Sequence, residues 1–246
     1  MGGMSFLLIA AVLAVLFLTG LIKAVLGFGE SLVTMPLLTL LVGVQVASPL
    51  LALVVTTLTT LMLLQSWQQV DVRSSWRVML AAVVGIPFGL WGLRALPADW
   101  ITLALGLVLV AVGAFNLLRR KPAWVPGPRW GYLFGFFSGV LGSAFYVGGP
   151  PVVIYGTLRR LPPQEFRATL QGYFTPLNAF ILLGHALSGL WTVQVLQLYG
   201  LALPLALLAL WLGTRLQRAI PAGSFERAVY LVLLVLGVVM LGQAVI

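Results

Sequence analysis

Leu26-Gly27-Phe28-Gly29-Glu30-Ser31, with Pro36 close behind, interrupts the first long apolar stretch of the chain. A matching phrase returns in the second half as Leu141-Gly142-Ser143-Ala144-Phe145-Tyr146, with Pro151 close behind. Each sets glycine and polar side chains inside sequence that is otherwise apolar. Lipid offers a released backbone no hydrogen bonds, so such a break survives only where protein or a water-filled cavity encloses it. Two breaks at corresponding positions of two halves are the sequence mark of a transport site built from discontinuous helices.

The surrounding composition agrees. Of 246 residues, 61% are hydrophobic and 8% charged, a balance foreign to soluble domains, so the chain reads as an all-α polytopic membrane protein. Without cysteine it has no disulfide framework, thiolate metal site or cysteine nucleophile. The net charge of +9 does not signal nucleic acid, because the basic residues lie in short loops with no patch of interleaved aromatics. The first apolar run has no basic flank before it and carries Lys23 after it, so it reads as mature structure rather than a cleaved signal.

Runs of about 20 apolar residues predict helices over 46–66, 75–95, 99–118, 166–188, 192–215 and 225–245. The segments 5–43 and 130–158 hold the breaks, and each either crosses once or forms a re-entrant hairpin that returns to its starting side. Charge separates the two cases. With hairpins, the loops bearing Arg73, Arg77, Arg119, Arg120, Lys121, Arg129, Arg159, Arg160, Arg167, Arg215, Arg218 and Arg227 share one face, and only Arg94 falls on the other. With single crossings, the loops after residue 158 switch sides and that asymmetry disappears. The positive-inside rule therefore favours hairpins.

Three helices after each hairpin make two inverted repeats, residues 1–120 and 130–246, joined by a cytoplasmic linker at 121–129. Both termini are then expected outside the cytoplasm. Other landmarks recur between the halves: Pro87 with Pro204, Arg94-Ala95-Leu96-Pro97 with Arg218-Ala219-Ile220-Pro221, and Gly113 with Gly237.

Polar residues deep in apolar sequence are the candidate site. Lys23 and Glu30 flank the first break, and a charge at that depth must be paired or face water. Functionally they read as an anion-attracting ammonium beside a titratable, coupling carboxylate; structurally, as a buried pair that fixes the hairpin. Gly27, Gly29 and Ser31 complete the candidate contacts there. The second break offers Ser143, Tyr146, Gly148 and Gly149 ahead of Pro150-Pro151, and proline suits the first turn of a returning helix. A helix start presents unpaired N–H groups and partial positive charge, an anion site without a dedicated cation. The same glycines could instead serve only tight turning and close helix packing.

The following helix carries Arg167, Gln171, Asn178 and His185 at spacings that bring them close to one face. Gln171 and Asn178 are the deeper candidates, and Arg167 is assigned to coupling or gating near the cytoplasmic end. His185, the single histidine, is expected near the outer surface with no functional duty. Thr56, Thr57, Thr59 and Thr60 are expected to bond their own helix backbone. No nucleophile with its base, pair of deep carboxylates or metal-ligand cluster emerges, so neither an enzyme nor a cofactor is expected.

Gly27-Phe28-Gly29 with Pro36-Leu37, Ser138-Gly139-Val140-Leu141-Gly142 through Gly149-Pro150-Pro151, and Arg167-Ala168-Thr169 with Asn178 resemble the TauE/SafE sulfite-exporter family over nearly the whole chain. That resemblance implies an integral membrane protein that moves sulfite or organosulfur anions. The chain departs from the family at Glu30, where members usually continue with glycine. The reading is a secondary transporter in the lipid bilayer of the cytoplasmic membrane that exports a small sulfur-containing anion by alternating access. An anion channel or an uptake permease for a related organic anion is the alternative. Apolar faces rich in Gly and Leu suit lipid and subunit contact alike, so a homo-oligomer stays open.

Overall fold

A computed structural model describes residues 5–26, 29–66, 76–117, 126–159, 163–216, 231 and 233–242. Within its helices the side chains of 26, 63, 65–66, 116, 157 and 163–172 lie outside the description. The described residues are helical apart from short connections. The first broken segment is α1 (Phe6–Leu26) and α2 (Glu30–Val42), followed by α3 (Val44–Ser66), α4 (Trp76–Ala95) and α5 (Ala98–Leu117). The second is α6 (Trp130–Phe145) and α7 (Gly149–Leu158), followed by α8 (Pro163–Leu187), α9 (Val193–Leu216) and α10 (Leu233–Gly242).

Five of these, α1, α3, α4, α5 and α9, are long and apolar enough to cross a bilayer. The predicted helix at 166–188 begins earlier, at Pro163, but only Tyr173–Leu187 is apolar. Of the one predicted at 225–245, the described part is α10. Within the predicted hairpins the arms are unequal. Helix α1 has 21 residues, which at about 1.5 Å per residue covers a hydrocarbon core unaided, whereas α2 has 13.

Helix packing exchanges partners between the halves. Helix α1 lies along α9, α6 lies along α4, and α3 and α8 meet each other between them. The tightest seam is α4 against α6. In lipid there is little hydrophobic gain from helix association, so close van der Waals approach over small residues must supply it. A Cβ at Gly139 would sit 2.0 Å from the Ala82 carbonyl oxygen, and one at Gly85 would sit 2.2 Å from that of Phe136. Glycine is therefore required there for approach, not flexibility. The α1–α9 seam uses the same device at Gly20 and Gly213, and Gly106 of α5 meets Gly237 of α10 backbone to backbone.

The second break lies one helical turn later than the doubled phrase indicated. Helix α1 ends at Leu26 and α6 at Phe145; α2 starts at Glu30 and α7 at Gly149. Leu26 thus corresponds to Phe145, not to Leu141, and Gly142-Ser143-Ala144 belong to the body of α6. Helix continues because Tyr146 N–H still reaches the Gly142 carbonyl at 2.9 Å. It stops at Tyr146, whose φ of 56° puts a non-glycine residue in the left-handed region. Such a residue costs of order 1–3 kcal/mol and persists only where its surroundings hold it.

Candidate functional site

Both helix starts open on one cavity of about 100 Å³. Helix α2 begins after Gly29, which takes a left-handed φ of 83° and gives the start no side-chain cap. Glycine adopts that conformation at no steric cost. Helix α7 begins at Gly149, followed by Pro150 and Pro151, whose rings preset the helical φ and whose missing N–H groups cost nothing in a first turn. Each start projects a partial positive charge of about +0.5 toward the cavity. In an apolar surround such partial charges are little screened, the arrangement by which helix starts can hold anions.

Eight of the predicted site residues line this cavity: Lys23 from α1, Gly29, Glu30 and Ser31 from the first break, Tyr146, Gly148 and Gly149 from the second, and Asn178 from α8. Lys23 and Glu30 are only 7% and 3% exposed, and Lys23 Nζ donates to Glu30 Oε1 at 3.0 Å. The other carboxylate oxygen, Oε2, is buried without a hydrogen-bond partner. Lys23 thus balances the charge of Glu30 while one oxygen of the carboxylate stays open to a hydrogen-bond donor. The remaining wall is apolar, with Val55 of α3, Val112 of α5 and Phe174, Leu177 and Ile181 of α8.

Tyr146 is held at the cavity by Thr56, whose hydroxyl lies 2.9 Å from the tyrosine oxygen. Thr57, Thr59 and Thr60 bond their own helix backbone as expected, and Thr57 also meets the Tyr199 hydroxyl at 2.8 Å. Sequence reasoning treated this threonine run as a unit and missed the part Thr56 plays. It also missed Ser138 and Tyr173. The Tyr173 hydroxyl donates to Ser138 Oγ at 2.5 Å, and the Ser138 hydroxyl donates to the Gly148 carbonyl. Tyr173 lies five residues before Asn178 on α8, and Ser138 ten before Gly148, so no short motif joins them.

Two expectations are overturned. Ser143 does not face the cavity: its hydroxyl lies within 3.2 Å of the Ile86, Gly139 and Val140 carbonyls and ties α6 to α4. The cause is the extra turn of α6, which keeps Ser143 on the helix face packed against α4. His185 is not at the surface. It is fully buried, with Nε2 2.7 Å from the Ser143 carbonyl oxygen, because α8 leans on α4 at Gly184, where a Cβ would meet Leu90 at 2.6 Å. The shared face with Asn178 already carried that signal. Gly27 and the side chains of Arg167 and Gln171 lie outside the described residues.

The family model described as Sulfite exporter TauE/SafE matches residues 12–240. Among curated proteins, the chain is 28% identical over 179 residues to the "Probable inner membrane transporter protein TsaS" of Comamonas testosteroni, covering 70% of this chain and 73% of that one. It is likewise 28% identical over 170 residues to the "Probable sulfite/organosulfonate exporter TauE" of Cupriavidus necator, covering 66% of each. No solved structure gives a significant match.

Proposed function

We propose, from the premise that this chain belongs to the sulfite exporter TauE/SafE family, that it exports a small sulfur-containing anion, sulfite or an organosulfonate, through the cavity between its two breaks. One observation carries this reading: two helix starts, the Lys23–Glu30 pair and Asn178 converge on a single cavity. Lys23, Ser31, Asn178 and the backbone at Gly29, Gly148 and Gly149 hold the anion, and Tyr146 closes over it. Glu30, whose Oε2 is left without a partner at the cavity, is the group assigned to coupling.

An inside-negative potential favours anion efflux by about 2.3 kcal/mol per charge per 100 mV. The exchange of partners between α1–α9 and α4–α6 supports reading 1–120 and 130–246 as repeats that rock against each other to give alternating access. Topology has its own support. Trp76 packs edge-on against Tyr132 with ring centroids 6.5 Å apart, and the Tyr155 hydroxyl, which meets Arg159, reaches the Pro128 carbonyl. Arg77, Arg129 and Arg159 therefore gather at one end of the bundle, the end assigned to the cytoplasm.

The test is transport in proteoliposomes of sulfite, sulfate, thiosulfate, sulfoacetate and taurine, with and without a proton gradient. Saturable counterflow of one of these, reduced in Asn178→Ala, is expected. Flux that never saturates points instead to a channel.

A further inference from the structure

Gly148 is held more firmly than a turn requires. The Tyr173 hydroxyl donates to Ser138, the Ser138 hydroxyl donates to the Gly148 carbonyl, and both side chains are fully buried. A Cβ on Gly148 would lie 2.7 Å from the Ser138 carbonyl oxygen, so the backbone of the break presses directly on α6. Hydrogen bonds in series polarise one another, which makes this chain stiffer than a lone serine contact.

In a trans peptide the carbonyl and the following N–H point in opposite directions. Fixing the Gly148 carbonyl toward α6 therefore turns the Gly149 N–H away from α6, and Gly149 is the first residue of α7, where amide N–H groups point back out of the helix start. Gly148 and Gly149 both line the cavity. A second, independent feature of the same space points to a ligand: the buried Oε2 of Glu30 has no partner there and, as an acceptor, calls for a donor on the bound species, such as the hydroxyl of hydrogensulfite or the ammonium of taurine.

We propose that Tyr173 and Ser138 are positioning residues that lock the Gly148–Gly149 peptide so that the Gly149 N–H donates to an oxygen of the transported oxyanion. This rests on the anion-site reading above and names how the second break contributes to it. A donor fixed before binding loses no freedom when the anion arrives. The relay touches the peptide and leaves the anion to the backbone.

The sequence makes this measurable, because Gly-Gly occurs only at Gly2-Gly3 and Gly148-Gly149. Protein labelled with glycine carrying ¹³C at the carbonyl and ¹⁵N at the amide gives just two cross-peaks in a carbonyl-filtered amide spectrum. Gly2→Ala removes one and assigns the other. Methanesulfonate, a permanently charged probe, should move the Gly148–Gly149 peak. In Ser138→Ala that movement should largely vanish, with KM for the transported anion rising about tenfold at unchanged maximal rate. Tyr173→Phe, which removes only the upstream donor, should give an intermediate effect and serves if Ser138→Ala does not fold. A peak that stays still while methanesulfonate raises the melting temperature overturns the relay but leaves the anion site standing. So does a Ser138→Ala response equal to that of the parent. Absence of any thermal shift or spectral change with methanesulfonate or sulfite overturns both.

Discussion

Replacing Glu30 by Gln tests the electrostatics of the site directly. In the parent protein Lys23 and Glu30 pair at 3.0 Å within a shell that leaves them 7% and 3% exposed. Glu30→Gln keeps the shape and an acceptor for Lys23 but strips the negative charge, leaving an uncompensated buried ammonium. Breaking a buried pair in this way costs about 3–5 kcal/mol, so the empty variant should melt well below the parent. An anion in the cavity then compensates Lys23. Two unit charges about 4 Å apart attract by about 4 kcal/mol at an effective dielectric of 20, and part of that is spent on desolvating the anion. At least 1.4 kcal/mol, about tenfold in affinity, should remain.

Thermal unfolding in detergent with increasing methanesulfonate measures both quantities. The apo variant should be the less stable protein, and its melting temperature should climb more steeply with ligand than that of the parent. Methanesulfonate is the same permanently charged probe for both proteins, so the difference between them belongs to residue 30. A Glu30→Gln variant that binds the anion more weakly than the parent at neutral pH would refute the placement of Glu30 against the anion.

Other outcomes follow from single contacts. Gly139→Ala places its methyl 2.0 Å from the Ala82 carbonyl and should cost at least about 1–3 kcal/mol, seen as reduced monodisperse yield or a lower melting temperature; a neutral result would deny the α4–α6 seam. Thr56→Val removes the 2.9 Å bond to Tyr146 and should lower stability by about 1 kcal/mol and transport by more, with uptake assays scoring the second effect. Tyr146→Gly relieves the left-handed backbone at φ 56° but empties the space of a buried ring and loses its bond to Thr56, so it should melt below the parent, losing about 2–4 kcal/mol. Tyr146→Phe, which loses only the hydroxyl, should match Thr56→Val in both melting and flux. For topology, single cysteines introduced at Gly2 and Gln243 should label from outside and one at Lys121 only from inside. Opposite labelling of Gly2 and Gln243 would sink the inverted-repeat proposal.

The chain's own order told much of this. Hydrocarbon-length runs marked the helices, because a bilayer leaves a span no other way to satisfy its backbone. Gly29 marked the first break because it stands against Glu30 and Ser31, and Gly148 and Gly149 the second because they precede Pro150-Pro151, where a span would otherwise keep its helix. Lys23 and Glu30 marked each other, seven positions apart across a break, because neither charge is tolerable alone at that depth. Asn178 was legible for a related reason, as the polar residue on a periodic face.

What stayed hidden was register and reach. Whether α6 ends at Leu141 or one turn later depends on which carbonyls remain available to Tyr146 and on Thr56 holding its side chain, neither of which is local in sequence. That single turn moved Ser143 out of the cavity and onto α4, and it brought Gly148 under Ser138 instead. His185 was buried by the approach of α8 to α4 at Gly184, a matter of which two helices share a seam. Composition and spacing determined that this is a broken-helix membrane protein with a charged pair at its first break. Only the tertiary structure decided which polar groups meet at the cavity, because hydrogen bonds are satisfied between helices whose contacts the linear order does not contain.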